Sequence, residues 1–92
     1  MAVWKSEAEL FAADGMVIGR GRAYLHLRQP ASAAQPAQGT LSLDWWDETR
    51  SPIGATLQLR DGPALSLHVQ GDTLRGCVEG RILRYTADWP GR

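Results

Sequence analysis

Val17–Arg28, VIGRGRAYLHLR, is the stretch that decides the fold. Its odd positions collect Val17, Gly19, Gly21, Ala23, Leu25 and Leu27. From Arg20 on, its even positions collect Arg20, Arg22, Tyr24, His26 and Arg28. Side chains alternate between the two faces of a strand, so this segment reads as a strand with one small, apolar face and one basic, polar face.

The same period of two recurs along the chain. In Thr40–Trp46, Leu41, Leu43 and Trp45 oppose Ser42, Asp44 and Trp46. Ala55, Leu57 and Leu59 alternate with Thr56, Gln58 and Arg60, and Leu65, Leu67 and Val69 with Ser66, His68 and Gln70. Leu74, Gly76 and Val78 oppose Arg75, Cys77 and Glu79, while Leu83, Tyr85, Ala87 and Trp89 oppose Ile82, Arg84, Thr86 and Asp88. Asp14-Gly15 and Asp61-Gly62 are hairpin signals, because glycine supplies positive φ and aspartate tolerates it. Gly71-Asp72 and Glu79-Gly80 read as further tight connections, which makes the last four strands a meander.

Two segments are less regular. Around Ser6–Ala13 an alternating pattern competes with a capping box, Ser6-x-x-Glu9. The strand is preferred because Asp14-Gly15 leads straight into the strand that follows. Gln29–Gly39, QPASAAQPAQG, carries two prolines and little bulk and reads as a flexible loop. An offset of 47 aligns Ala8, Leu10, Asp14 and Gly15 with Ala55, Leu57, Asp61 and Gly62, a faint repeat that any two Asp-Gly hairpins produce.

Strands with one apolar face each must bury those faces against one another. The expectation is a single all-β domain over residues 1–92, a small antiparallel barrel or coiled two-sheet sandwich of about six to seven strands. Glycines at the inward positions 19, 21 and 76 favour the barrel, since they permit sharp bends and close backbone approach. The expected core is Leu25, Leu27, Leu43, Trp45, Leu57, Leu59, Leu65, Leu67, Val69, Leu74, Leu83 and Tyr85.

Composition narrows the function classes. In 92 residues, 10 Lys and Arg balance 10 Asp and Glu, which argues against a generic nucleic-acid or membrane-surface binder. No window of about 18 apolar residues is present to span a bilayer. Met1–Glu9 carries Lys5 but no apolar run, so it does not read as a signal peptide. Cys77 is the lone cysteine, which excludes an internal disulfide and makes a cytoplasmic address the default.

Catalytic and metal signatures are weak. Cys77, His26 and His68 fall on separate strands with no G-x-S-x-G-type motif, and they have no metal-ligand spacing. Asp44, Asp47 and Glu48 lack the calcium-loop pattern, and Gly19-x-Gly21 lies inside a strand rather than at a phosphate-binding turn. No catalytic residue, metal or cofactor is expected. The candidate binding residues are Arg20, Arg22, Tyr24, His26 and Arg28 on one strand face, together with Trp46. Arginine forks suit phosphate or carboxylate, and tyrosine and histidine stack on bases. Asp44 and Glu79 are the acids expected opposite the arginines. Uninterrupted alternation turns Trp45 inward and Trp46 outward, where an indole marks an interface. The expected function is a non-catalytic interaction or assembly module that self-associates, a homodimer first, through a strand edge or the Trp46 face. The alternative is a binding domain for a nucleic acid or small anionic ligand on the Arg20–Arg28 face.

Overall fold

In a computed structural model, which describes residues 2–91, the alternation resolves into strands. These are β1 (Ala2–Phe11), β2 (Val17–Leu27), β3 (Gln35–Trp46), β4 (Thr56–Leu59), β5 (Ala64–His68), β6 (Val78–Glu79) and β7 (Ile82–Trp89). One helical turn, α1 (Leu74–Cys77), precedes β6. Every pairing is antiparallel. The order is β3-β2-β1-β4-β5-β7-β6, and β3 also pairs with β7, so six strands close into a barrel. β6 is the additional strand, pairing with β7 at Leu83 and Ile82.

The ambiguous N-terminal segment is strand: β1 pairs with β2 from Ala2↔Leu27 to Phe11↔Val17. Its inward positions Ser6, Ala8 and Leu10 are buried, as alternation requires. The interior is filled mainly by leucine, with Leu10, Leu25, Leu41, Leu43, Leu57, Leu59, Leu65 and Leu83 almost fully enclosed alongside Ile18 and Trp89. So narrow a barrel is filled by its own side chains and leaves no central channel.

Closure requires sharp bending, and two β-bulges supply it at one end. Leu10 pairs with Gly19 and Phe11 with Val17, so Ile18 is an extra residue on β2. Arg20 pairs with Trp45 and Gly21 with Leu43, so Asp44 is an extra residue on β3. Gly21 makes the second bulge sterically feasible, because a Cβ there would collide with the Ser42 carbonyl. The wall of β3 thus crosses β2 at a separation that only glycine allows.

Four expectations from the sequence are corrected. First, the Asp44 bulge reverses the alternation after Leu43. Trp45 therefore points out, 48% exposed, and Trp46 is half-buried against the core. Second, the flexible loop ends earlier than expected, because Gln35–Gly39 belong to β3 and pair with Trp89–Tyr85 of β7. The buried Gln35 side chain organises the shorter loop. Its Oε1 accepts from the N–H groups of Arg28 and Gln29, both at 2.9 Å, and its Nε2 donates to the carbonyls of Gln29, Pro30 and Ala33 at 3.0, 3.1 and 3.2 Å. Trp89 closes the same end, donating from Nε1 to the Ala31 carbonyl at 2.7 Å and packing on Trp4 with ring centroids 5.0 Å apart.

Third, Leu74–Cys77 is a helical turn rather than a strand. Leu74 is fully buried, and its N–H and that of Arg75 donate to the carbonyls of Arg50 and Glu48 at 2.8 and 2.9 Å. Tertiary hydrogen bonds thus hold a turn too short to be stable alone. Gly76 is accordingly not an inward strand glycine but lies on the surface. Fourth, the strand order is meander-like, but the last strands do not pair consecutively: β5 pairs with β7 through Leu67↔Ala87 and His68↔Thr86, not with β6. Val69, just past β5, is half-buried rather than in the core.

Candidate functional site

The basic face of β2 points outward: Arg20, Arg22, His26 and Arg28 are exposed and Tyr24 is half-exposed. Strand pairing extends it into rows. One row runs Lys5, Tyr24, Thr40, Arg84 across β1, β2, β3 and β7, and the next runs Val3, His26, Gln38, Thr86, His68 across β1, β2, β3, β7 and β5. All are outward positions, so residues far apart in sequence form one continuous polar surface.

This surface divides into two chemically distinct halves. In the upper half the arginines are neutralised. Arg22 donates from Nη2 and Nε to Glu7 Oε1 at 2.9 and 3.3 Å, and Arg20 lies 3.7 Å from Glu9 Oε2. The acids come from β1, directly opposite in register, rather than from Asp44 and Glu79 as the sequence led us to expect. The Glu7 carboxylate holds the Arg22 guanidinium more firmly protonated than usual, with a smaller contribution from Tyr24. Arg20 also lies over the Trp45 ring, 5.9 Å from its centroid.

In the lower half the cations stand without acids. Among the described residues no carboxylate lies within ion-pair distance of Arg28 or Arg84. Two acids border this half: Asp88, 4.0 Å from His68 Nε2, and Asp72, whose charge acts on Cys77. The surface here is concave. A groove of about 700 Å³ is lined by His26, Gln38, Thr40, Arg84 and Thr86 together with His68, Gln70 and Cys77. It continues into a second concavity that shares His26, Gln38 and Thr86 and reaches Arg28 and Pro36.

The fold therefore brings His26, His68 and Cys77 to one groove, a convergence not visible in the sequence. Cys77 is not prepared as a nucleophile. Its Sγ donates to the Gln70 carbonyl at 3.1 Å, and burial, then the charge of Asp72, push its pKa up. Activated thiols need the opposite environment, a neighbouring cation or donor that stabilises the thiolate. No group of three or more His, Cys, Asp or Glu that could hold a metal occurs among the described residues.

Of the six residues singled out from the sequence, His26 and Arg28 belong to the open half, Arg20 and Arg22 to the neutralised half, and Tyr24, which acts on Arg22, lies between them. Trp46 lies on neither, since its ring packs against the core. Gln38, Thr40, Arg84 and Thr86 are the residues that the sequence reading missed. The outward parity of Thr40, Arg84 and Thr86 was readable; Gln38 lay in the segment read as a loop, and the β3–β7 pairing that sets all four beside β2 was not readable.

Comparison with protein-family models, with curated proteins and with solved structures gave no match to this chain. Among the described residues, no helix is long and apolar enough to cross a membrane.

Proposed function

We propose that this protein is a non-catalytic binding module that takes an anionic ligand on the outer face of β2, β3 and β7. One observation carries the reading: Arg84 lines one concavity and Arg28 the adjoining one, His26, Gln38 and Thr86 are common to both, and among the described residues neither arginine is paired with an acid. Unpaired guanidiniums retain their forked donors for phosphate or carboxylate. His26, which lines both concavities, adds a flat ring suited to stacking. The zero net charge limits long-range attraction, so recognition here is short-range and depends on groove geometry. A cytoplasmic setting fits the lone thiol of Cys77.

Two probes test the proposal: pyrophosphate by calorimetry, and a fluorescein-labelled oligothymidylate of about twelve nucleotides by anisotropy. At least one binds, with affinity that falls as salt rises from about 20 to about 200 mM. The double substitution Arg28→Ala, Arg84→Ala weakens that binding at least about tenfold, whereas Arg22→Ala, whose guanidinium already serves Glu7, leaves it nearly unchanged. Absence of binding by both probes, or equal binding by the double variant, refutes the proposal.

A second reading, self-association, draws on a different surface. Met16 and Ile53, 59% and 61% exposed, belong to the loops at the barrel end where Gly54 meets Ala13. A two-fold contact through this end would cover both side chains. It no longer rests on Trp46, whose indole turns inward. Sedimentation velocity at about 100 μM tests it, a concentration at which a contact of about 5.5 kcal/mol is half-formed. A purely monomeric boundary removes this reading and leaves the groove untouched.

A further inference from the structure

We propose that the open edge of β1 takes an extended peptide as an added strand, one that carries an acidic side chain opposite Lys5, at a site separate from the anion groove. The observation behind it is the pairing of β1. On one side β1 is paired with β2 along its whole length, from Ala2 to Phe11. On the other side the ladder with β4 reaches only Ala8, and one further hydrogen bond runs from the Arg60 N–H to the Glu7 carbonyl at 2.8 Å. From Ser6 to Ala2, no strand among the described residues pairs with β1 on this side.

That last bond fixes the direction of the backbone groups. In a regular strand, alternate residues turn both N–H and C=O to the same edge. Glu7 faces β4, so Lys5 and Val3 face the same way, while Ala2, Trp4 and Ser6 face β2. The one irregularity of the β1–β2 register lies further on, at Leu10/Phe11, so the alternation is unbroken here. The Tyr24 carbonyl agrees: Tyr24 is paired with Lys5, yet its oxygen turns to β3, 2.6 Å from where a Cβ on Gly39 would stand. Val3 and Lys5 therefore present two N–H donors and two carbonyl acceptors in a row, and both side chains are exposed on the outer face. Such a row is a template for a further strand.

Charge selects the occupant. A strand that continues the line of β4 runs antiparallel to β1 and starts beyond Arg60. Its residue opposite Lys5 points outward, about 5 Å from Lys5 across the ladder and about 7 Å from Arg60 along the line. Neither Lys5 nor Arg60 has an ion-pair partner among the described residues, and Glu7 is held by Arg22. Asp61 is the one acid of the β4–β5 turn. Its N–H donates to the Ser6 hydroxyl at 3.2 Å, which draws the turn inward, and Gly62 comes to lie against the Trp4 ring. An acidic side chain opposite Lys5 thus meets two cations. The next residue of the peptide points inward beside Trp4, which packs with Trp89 against the core, so an aliphatic side chain suits it. A second copy of this chain does not supply this pattern. Two-fold pairing through Trp4 sets Val3 opposite Lys5, and pairing through Lys5 sets like charges opposite each other. Pairing through Ser6 would set Glu7 opposite Lys5, but Arg60 already takes the Glu7 carbonyl.

The test follows the anisotropy of fluorescein-labelled Gly-Ser-Glu-Leu-Val-Ser-Gly as protein is added at about 20 mM salt. The probe binds saturably below about 1 mM. Exchanging its glutamate for lysine weakens binding at least about tenfold, as does N-methylation of that glutamate, which removes the donor to the Lys5 carbonyl. Lys5→Glu reverses the preference between the two charged probes. Lys5→Pro weakens binding at least about tenfold with an unchanged circular dichroism spectrum, because the lost N–H makes no bond to β2. The double substitution Arg28→Ala, Arg84→Ala leaves peptide binding unaltered, so failure here and failure of the anion groove are separable. The proposal is overturned if the glutamate probe shows no saturable binding, or if the lysine or N-methylated probe binds as tightly. It is overturned equally if the arginine double variant loses the peptide, or if sedimentation shows a wild-type dimer that Lys5→Pro dissociates, which would give the edge to a second copy.

Discussion

Replacing Gln35 with leucine retains roughly the side-chain volume and removes every hydrogen bond that ties the 28–34 loop to β3. The Arg28 and Gln29 N–H groups lose a shared acceptor at 2.9 Å, and three carbonyls lose their Nε2 donor. A buried donor left unpaired costs about 1–3 kcal/mol, and carbonyls tolerate the loss better than N–H groups. The residue is 8% exposed and its partners lie in a surface loop, so water recovers part of the loss. The expected destabilisation is about 2–3 kcal/mol, or roughly 10–20 °C in Tm for a domain of this size. Urea unfolding followed by tryptophan fluorescence measures it, with Trp89 reporting on the same end of the barrel. The m-value should be unchanged, since the surface exposed on unfolding is the same. Gln35→Glu, which turns a carboxylate oxygen toward the Gln29, Pro30 and Ala33 carbonyls, should destabilise at neutral pH at least as much as Gln35→Leu. A loss below about 0.5 kcal/mol for Gln35→Leu would refute the view that this side chain organises the loop.

Three further outcomes follow from the geometry. Trp46→Ala should cost about 2–3 kcal/mol and Trp45→Ala less than about 1 kcal/mol, as read by thermal unfolding; the reverse order would contradict the Asp44 bulge. Alkylation of Cys77 by iodoacetamide near neutral pH should be slower than that of a cysteine in a free peptide and should accelerate as pH rises, because burial and Asp72 raise the thiol pKa. Equal or faster alkylation would contradict the protonated, Gln70-bound thiol. Asp14 and Asp47 should titrate below the ordinary 3.8, Asp14 held chiefly by the Met16 N–H and then by Arg50, and Asp47 by the Thr49 hydroxyl and N–H. Their folded pKa values are lowered, so their contribution to stability is complete above about pH 3.8 and is lost as pH falls through the folded values. Carboxyl carbon shifts followed by NMR check this, and a midpoint above 3.8 for either group contradicts it.

Alternation was legible wherever large apolar residues carried it, and so β2, β4, β5, β7 and most of the core could be read from the chain. It failed where the same period was written in small residues. Gln35, Ala37 and Gly39 face inward as regularly as Leu25 and Leu27, but alanine, glycine and a buried glutamine do not register as an apolar face. It failed again where one extra residue entered a ladder. A bulge at Asp44 leaves no local mark in the sequence, since its cause is the approach of β3 to Gly21 across a strand pair, yet it exchanges the faces of Trp45 and Trp46. Leu74 and Val78 suit a helical turn as well as a strand, and only the carbonyls of Glu48 and Arg50 decide between them.

The candidate site was half legible for the same reason. The outward run Arg20–Arg28 belongs to a single strand and reads directly. Which of its arginines are neutralised depends on the β1 register, and which residues complete the groove depends on β3 closing against β7. Both are long-range pairings that a local pattern does not encode.

The central claim is that the open half of the β2–β3–β7 face is where this protein binds an anion. The most direct measurement is a ¹H–¹⁵N NMR titration with pyrophosphate and with the oligothymidylate at low salt. The account predicts saturable shifts confined to His26, Gln38, Thr40, Arg84, Thr86 and the Arg28 region, with Arg20 and Arg22 little affected. Shifts centred on the Arg20–Arg22 half, or no saturable shifts with either probe, would contradict it.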